Sequence, residues 1–301
     1  MLRALVMLAA LSTLFVQPKP AIPSPPQEGT VVVHGWVEKG DGMPAATLDP
    51  ADFTAEIDDA PAPILSIAPK RLPVSVIVLL DTSRSVRWWE SPPANLGRFA
   101  GLLTPSDRIM IATFGARKSF PGFTLAGRDM DGEIRTALEI SDAEGFGKSP
   151  VWDAIYDAVE ILSREPGPRS ILLLTDGRTT GNTHGLVETA AFAMANRVSI
   201  NVILRHSSES ILQRGGGTAA LVQPGAPIQG LATYTGGMYF TYPERQTDIT
   251  LGLFRLIAAS LVHMQEFTLQ LFKRDGRAHR FAVRSAKIEM KVHAPMAFLA
   301  R

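Results

Sequence analysis

The chain has 301 residues, 46% of them apolar, with 30 basic and 29 acidic side chains and a net charge of +1. That length holds one large domain or two smaller ones, and the apolar share is that of a globular protein. Balanced charge without a long basic stripe gives no electrostatic case for nucleic acid, and the absence of cysteine excludes disulfides, thiolate metal sites, cysteine nucleophiles and a lipid-modified N-terminal cysteine.

Arg3 opens the chain with a positive charge, and residues 4–16 (ALVMLAALSTLFV) form an uncharged apolar run. Its length is that of a signal peptide and falls short of a comfortable membrane span. Residues 17–28 are rich in proline and read as an unstructured linker. No small-x-small cleavage site stands out, so an uncleaved anchor is the variant of this reading that would keep the protein at a membrane. A buried N-terminal helix is the competing reading, but the proline-rich segment would isolate it from any core. The expectation is an exported protein, whether periplasmic, secreted or at the cell surface.

From residue 29 to 71 the pattern is that of strands. Residues 30–37 are strand-like, Lys39-Gly40-Asp41-Gly42 is a turn, and residues 52–57 alternate before Asp58-Asp59-Ala60-Pro61 turns the chain. Residues 63–68 read as a short strand and 69–73 as a linker. This piece is too short to hold a core alone.

The grammar then changes. Residues 74–80 (VSVIVLL) run apolar without alternation, which suits a strand buried on both faces of a parallel sheet. Residues 95–103 are helical in character, 109–114 (IMIATF) form a second buried strand, 120–125 a short strand and 131–140 a helix with Ile134, Ala137 and Leu138 on one face. Ser149 is a candidate N-cap with Pro150 as first helical residue. That helix runs to about Leu162, with Val151, Ile155, Ala158, Val159 and Leu162 inward. Residues 169–175 (RSILLLT) are another buried strand, 188–196 a helix, 198–204 a strand and 205–227 a long loop containing Gly215-Gly216-Gly217. A short helix at 229–235, a strand at 238–241 and an amphipathic helix at 249–261 complete the alternation.

The chain ends as it began. Residues 265–273 (QEFTLQLFK) alternate, Asp275-Gly276 reads as a hairpin turn, residues 279–284 alternate again, and 287–292 are one more candidate strand. Neither β half has enough apolar surface to stand alone. The predicted fold is therefore α/β: a doubly wound, mostly parallel sheet inserted in a small all-β sandwich made by the N- and C-terminal strands.

Strand 74–80 ends in Asp81-Thr82-Ser83-Arg84-Ser85. Open α/β sheets bind ligands just past the carboxyl ends of their strands. One carboxylate and two hydroxyls make an oxygen-only cluster that suits a hard cation such as Mg²⁺. The plainer reading is an Asp that ends a strand and caps a helix, with serines as turn formers. If strands 74–80 and 169–175 are neighbours, Asp81 and Asp176 emerge side by side. With Ser83, Ser85 and Ser149 they supply two charges and oxygens for five of six octahedral positions, leaving one open to a partner's carboxylate.

These residues resemble the von Willebrand factor type A domain and its metal-ion-dependent adhesion site: an Asp-x-Ser-x-Ser strand end, a later loop hydroxyl and a later Asp after a buried strand. Ser149 stands where that family usually has Thr. The flanking Ser149-Pro150-Val151-Trp152-Asp153-Ala154 and Leu173-Leu174-Thr175-Asp176-Gly177-Arg178 phrases strengthen the likeness. More narrowly the chain resembles the exported bacterial "VWFA-related" proteins, on Asp52-Phe53, Glu56-Ile57-Asp58-Asp59 and Ala232-Thr233-Tyr234-Thr235-Gly236-Gly237. The resemblance covers roughly residues 31–292. It implies residues 1–28 as signal and linker, 29–72 as an N-terminal β segment, 73–262 as the A-like domain and 263–301 as a C-terminal β segment. It also implies a non-enzymatic binding module. Asp81, Ser83, Ser85, Ser149 and Asp176 would hold Mg²⁺, with Mn²⁺ or Ca²⁺ as possible substitutes, and a protein or peptide partner would donate a carboxylate.

Three rivals remain beside this reading. Gly147-Lys148-Ser149 copies the end of a phosphate loop, as in a nucleotide hydrolase, but Asp142 replaces its first glycine and Pro150 removes an N–H from the helix start. A serine hydrolase lacks its Gly-x-Ser-x-Gly elbow, and His34, His184, His206, His263, His279 and His293 are scattered. A purely structural site would close the sheet edge without a partner. Trp88 and Trp89 fit either packing under the first helix or anchoring a partner. Arg178 fits either steering an acidic ligand or lying solvated in its loop.

Overall fold

The computed structural model describes residues 29–83, 85–86, 92–127, 130–143, 148–205, 211–215, 218–222, 225–242, 247–271 and 275–300. Strands β1 (Thr30–Glu38), β2 (Phe53–Ile57), β3 (Ala60–Pro61) and β4 (Ile64–Pro69) lead into the first central strand, β5 (Ser75–Asp81). There follow α1 (Pro92–Leu102), β6 (Arg108–Phe114), β7 (Lys118–Ser119), β8 (Thr124–Leu125), α2 (Asp131–Ala143), α3 (Val151–Ser163), β9 (Arg169–Thr175), α4 (Leu186–Ala195) and β10 (Val198–Arg205). Then come β11 (Ile211–Gly215), β12 (Thr218–Val222), α5 (Ala226–Tyr234), β13 (Tyr239–Tyr242) and α6 (Thr247–Val262). The chain closes with β14 (Gln265–Gln270), β15 (Ala278–Ser285), β16 (Lys291–His293) and β17 (Ala297–Leu299).

The central sheet has the order β13-β10-β9-β5-β6, all parallel, with β7 and β8 antiparallel on the β6 edge. β5 is buried at every position, as its unbroken apolar run predicts. Its side chains divide by parity. Val76, Val78 and Leu80 join a cluster with Leu96 and Phe99 of α1, Ile134 of α2 and Phe254 and Ile257 of α6. Ile77 and Leu79 join another with Val151 and Ile155 of α3, Ala190 of α4 and Ile228 of α5. The sheet is therefore covered on both faces. Burying each of these Val, Leu, Ile and Phe side chains contributes about 1.5–3 kcal/mol. The inward face predicted for α3 is observed, since Val151, Ile155, Ala158, Val159 and Leu162 are fully buried.

Around this core lie two four-stranded sheets, β16-β1-β14-β4 and β17-β15-β2-β3. Each mixes N- and C-terminal strands: β1 pairs with β14 and β16, β4 with β14, and β2 with β15. Val31 and Val33 of β1, Phe267 and Leu269 of β14, Phe53 and Ile57 of β2, Phe281 of β15 and Phe298 of β17 form one buried cluster shared by both sheets. Phe53 and Phe267 meet edge to face across it, with centroids 6.4 Å apart.

Some local expectations are corrected. The Asp275-Gly276 turn does not close a hairpin, because β14 pairs with β1 and β4 while β15 pairs with β2 and β17. The turn carries the chain from one sheet to the other, which alternation alone does not distinguish from a hairpin. Residues 120–125 hold only the two-residue β8, and the loop expected at 205–227 contains the antiparallel β11–β12 pair. Ser149 does not cap α3. Pro150 occupies that position without a side-chain bond, and the Ser149 hydroxyl is used elsewhere.

The β layers attach to one edge of the central unit. Lys70, just after β4, reaches Asp107, just before β6, at 2.8 Å. Arg197, before β10, donates to Val32 O at 3.2 Å. Gly236, before β13, has φ +75°, and a Cβ there would lie 2.5 Å from the Ala294 carbonyl carbon. Met296 N donates to Tyr234 O at 2.9 Å. These ties lie at the amino ends of β5, β6, β10 and β13, opposite to Asp81. Among the described residues no helix is long and apolar enough to cross a membrane.

Candidate metal centre at the carboxyl edge

Counting only the parallel strands, the order from β6 is second, first, third, fourth, fifth. The chain thus reverses direction across the sheet between β5 and β9, where such sheets open a crevice at their carboxyl ends. β5 and β9 are direct neighbours, with Leu80 opposite Leu174, so Asp81 and Thr175 come next in register and Asp176 follows. The adjacency expected from the two apolar runs is therefore present.

Asp81 is fully buried, and its carboxylate is a hub. Oδ1 accepts the Ser83 N–H at 2.9 Å. Oδ2 accepts the Ser149 hydroxyl at 2.9 Å and the Thr175 hydroxyl at 2.6 Å. The Ser83 and Ser85 hydroxyls lie 3.3 Å apart. Burial pushes Asp81 up to about 6; hydrogen bonds from Thr175 and Ser83 oppose that, and the negative charge of Asp176 adds to it. Asp176 is itself buried, with Oδ1 accepting Arg178 N at 3.0 Å and Oδ2 lying 3.7 Å from Arg178 Nε. Arg178 thus lies against the carboxylate that precedes it.

The loop after β9 is fastened to the start of α3. Ser149 N donates to Thr180 Oγ1 at 2.9 Å, and Thr180 N returns a bond to Ser149 O at 2.8 Å. Asn182 Oδ1 accepts Trp152 N at 2.8 Å, serving as a cap from another loop for an otherwise unpaired helix-start donor. Asp153 accepts Thr183 N at 2.9 Å and His184 N at 2.7 Å, and lies 2.9 Å from His184 Nδ1. Burial would raise the Asp153 carboxyl, but the N–H groups of His184 and Thr183 and the imidazole outweigh it and hold it below its ordinary value. His184 stacks on Tyr156 with centroids 3.9 Å apart. These contacts fix the positions of Ser149 and Asp176 relative to each other.

Of the five residues singled out in the sequence, Asp81 ends β5 and Ser83, Ser85, Ser149 and Asp176 lie in three loops at the same edge, and the hydrogen bonds above tie Ser83, Ser85 and Ser149 together around Asp81. Thr175 was missed. Its signal was positional: it faces Asp81 across the β5–β9 pair and precedes an Asp already chosen. Among the described residues no group of three His, Asp or Glu side chains is placed to hold a metal, so any cation here would rely on hydroxyls beside two carboxylates. Such an oxygen-only set is hard in character. Trp88, Trp89 and Gly147 lie outside the described residues.

The rival chemistries fit this geometry poorly. Val151 N bonds Ser149 O, Trp152 N bonds Asn182, and Pro150 has no N–H, so the start of α3 has these donors already spent. A phosphate cradle needs them open. The Ser83, Ser85 and Ser149 hydroxyls pair with one another or with Asp81, and among the described residues none is bonded to an imidazole.

No family model matches the chain, and no curated protein matches it. Solved structures do. BatB from Bacteroides thetaiotaomicron shares 18% identity at a TM-score of 0.46, over 62% of this chain and 100% of that one. A von Willebrand factor type A protein from Catenulispora acidiphila shares 9% at 0.48, over 91% and 75%. The vWF domain of the type V pili tip protein Mfa5 from Porphyromonas gingivalis shares 14% at 0.46, over 62% and 94%. These are likenesses of fold, and no residue's role is taken from them. The chain thus has a mixed α/β fold with a mostly parallel central sheet, similar in kind to that of the von Willebrand factor type A structures.

Proposed function

We propose that this is an exported, non-enzymatic binding protein that takes up Mg²⁺ at the carboxyl edge of its central sheet and uses it to bridge to a carboxylate of a protein or peptide partner. The observation that carries this reading is the convergence of Ser83 and Ser149, from two separate loops, on the buried Asp81 carboxylate, with Asp176 close enough to raise its proton affinity. Asp81, Ser83, Ser85, Ser149 and Asp176 would hold the ion directly or through water, and Mn²⁺ or Ca²⁺ would compete for the same oxygens. When bound, the ion supplies a positive charge with an exchangeable position; the protein's part is to fix the oxygens around it. The edge opposite to the β layers is the one left for a partner. Export rests on the apolar run at residues 4–16, which lies outside the described residues.

The test uses the metal alone. Calorimetric titration with MgCl₂ should show one saturable site, lost in Asp81→Asn and in Asp176→Asn while circular dichroism and cooperative unfolding persist. Absence of saturable uptake in the wild type would overturn the reading. A second reading is favoured by the three donors already satisfying Asp81: the cluster could close the sheet edge without a partner. Under it, Asp81→Asn would lower the melting temperature equally with Mg²⁺ and with chelator.

A further inference from the structure

We infer that Lys148 is the specificity-determining cation of this edge and selects partner segments carrying a second carboxylate beside the one that meets the metal. This rests on the binding reading above and deepens it. Lys148 directly precedes Ser149, whose hydroxyl bonds Asp81. Ser149 is zipped to Thr180 by two hydrogen bonds, and the residue after Thr180 is Gly181.

The Lys148 stem lies across that glycine. A Cβ on Gly181 would fall 2.3 Å from Lys148 Cδ and 3.1 Å from its Cβ, and Gly181 has φ +72°, so the loop both leaves room for the stem and adopts a backbone that side chains disfavour. A lysine so held keeps its hydrocarbon on protein and its ammonium in water. Lys148 is exposed and makes no ion pair among the described residues. Among the described residues, two other cations are differently placed. Arg178 lies against Asp176, and Lys118 is paired with Asp157. Chain geometry puts the Lys148 ammonium no more than about 12 Å from the Ser149 hydroxyl, on the order of one Debye length at 0.1 M salt. A partner whose first carboxylate meets the metal can place a neighbouring carboxylate within that distance of this ammonium.

The probes are two blocked peptides, acetyl-Gly-Asp-Gly-amide and acetyl-Asp-Asp-Asp-amide, titrated into the whole protein by NMR in MgCl₂ and again in chelator. Any of the triacid's three carboxylates can meet the metal, a statistical factor of about three, and one exposed ion pair adds about threefold to fivefold. The triacid should therefore bind about tenfold to fifteenfold tighter than the monoacid, and the part due to the ion pair should fade in high salt. In Lys148→Gln the preference should fall to about the statistical threefold. Lys291→Gln, on β16 of the β layers, should keep the preference. A triacid preference undiminished in Lys148→Gln overturns the inference, as does a wild-type preference no larger than about threefold. Binding of neither peptide, with Mg²⁺ uptake intact by calorimetry, overturns the inference while leaving the metal reading standing. Equal binding of the monoacid in Mg²⁺ and in chelator would instead sink the metal reading.

Discussion

The Ser149 hydroxyl donates to Asp81 Oδ2 across 68 positions of sequence, and Thr175 donates to the same oxygen. Two neutral donors on one buried carboxylate oxygen make the cluster sensitive to the loss of either. Thr175→Val keeps the shape and removes the donor that is fully buried. It should cost about 1–3 kcal/mol in urea denaturation, because Asp81 loses a partner it cannot replace with water. Ser149→Thr keeps the hydroxyl and should cost less than Ser149→Ala. Equal losses in the two Ser149 variants would mean that the hydroxyl contributes nothing to the cluster.

Gly236 packs its backbone against Ala294 and Pro295 of the C-terminal β tail. Its φ of +75° and the Ala294 carbonyl carbon 2.5 Å from a Cβ position both oppose any side chain. Gly236→Ala should therefore destabilise the protein by about 1–3 kcal/mol, from backbone strain and displaced backbone together. Gly101, in the exposed part of α1, has nothing within 4 Å of its Cβ position. Gly101→Ala should stabilise by about 0.5–1 kcal/mol through helix propensity. Thermal melts of the two variants should move in opposite directions.

The parts of this architecture written locally were legible in the sequence. β5 and β9 announce themselves as apolar runs buried on both faces, and their adjacency puts Asp81 beside Asp176. The partition of the tail was not legible. Residues 265–273 and 279–284 alternate around Asp-Gly as a hairpin would, yet β14 and β15 lie in different sheets because each pairs with a strand of the N-terminal segment, β1 or β2. Ser149 before Pro150 has the pattern of a cap, but a buried carboxylate 68 positions away takes its hydroxyl. Both misses arise from partners distant in sequence, which local patterns do not encode.

Glu266 ties the strand after α6 to the segment before β5. Its Oε1 accepts Arg71 N at 2.9 Å, its Oε2 accepts Arg71 Nε at 2.8 Å, and His34 Nε2 lies 3.7 Å from Oε1. Burial would raise its pKa, but the His34 and Arg71 contacts prevail and hold it at about 2, against an ordinary 4.5. The folded state therefore binds this proton more weakly than the unfolded state. The stabilisation is present above the ordinary value and is lost as pH falls through the folded one. Arg71 is half-exposed, so solvent trims the effect to about 1–3 kcal/mol. Glu266→Gln should flatten the decline of stability between about pH 4.5 and pH 2 seen by urea denaturation in the wild type.

His279 supplies the opposite slope. Nδ1 lies 2.7 Å from Asp58 Oδ2 and Nε2 lies 3.0 Å from Asp275 Oδ1. Both ring nitrogens face carboxylates, an arrangement that favours the imidazolium, which when protonated bridges the β2–β3 turn to the Asp275-Gly276 turn. Hydrogen bonds to Asp58 and Asp275 raise its pKa above the ordinary 6.5, against a smaller effect of burial. The same contact, with Arg280 N, holds Asp58 below its ordinary 3.8. The folded state binds the His279 proton more tightly than the unfolded state, so its contribution is complete below the ordinary imidazole value and disappears as pH rises through the folded one. The Asp58 contribution is present above its ordinary value and is lost on acidification. The bridge is therefore strongest between those two ordinary values. Melting temperatures taken from about pH 6 to about pH 9 should fall in the wild type and fall less in His279→Gln, which bonds the carboxylates without titrating. Parallel curves for the two proteins would show that this imidazolium does not tie the two turns together.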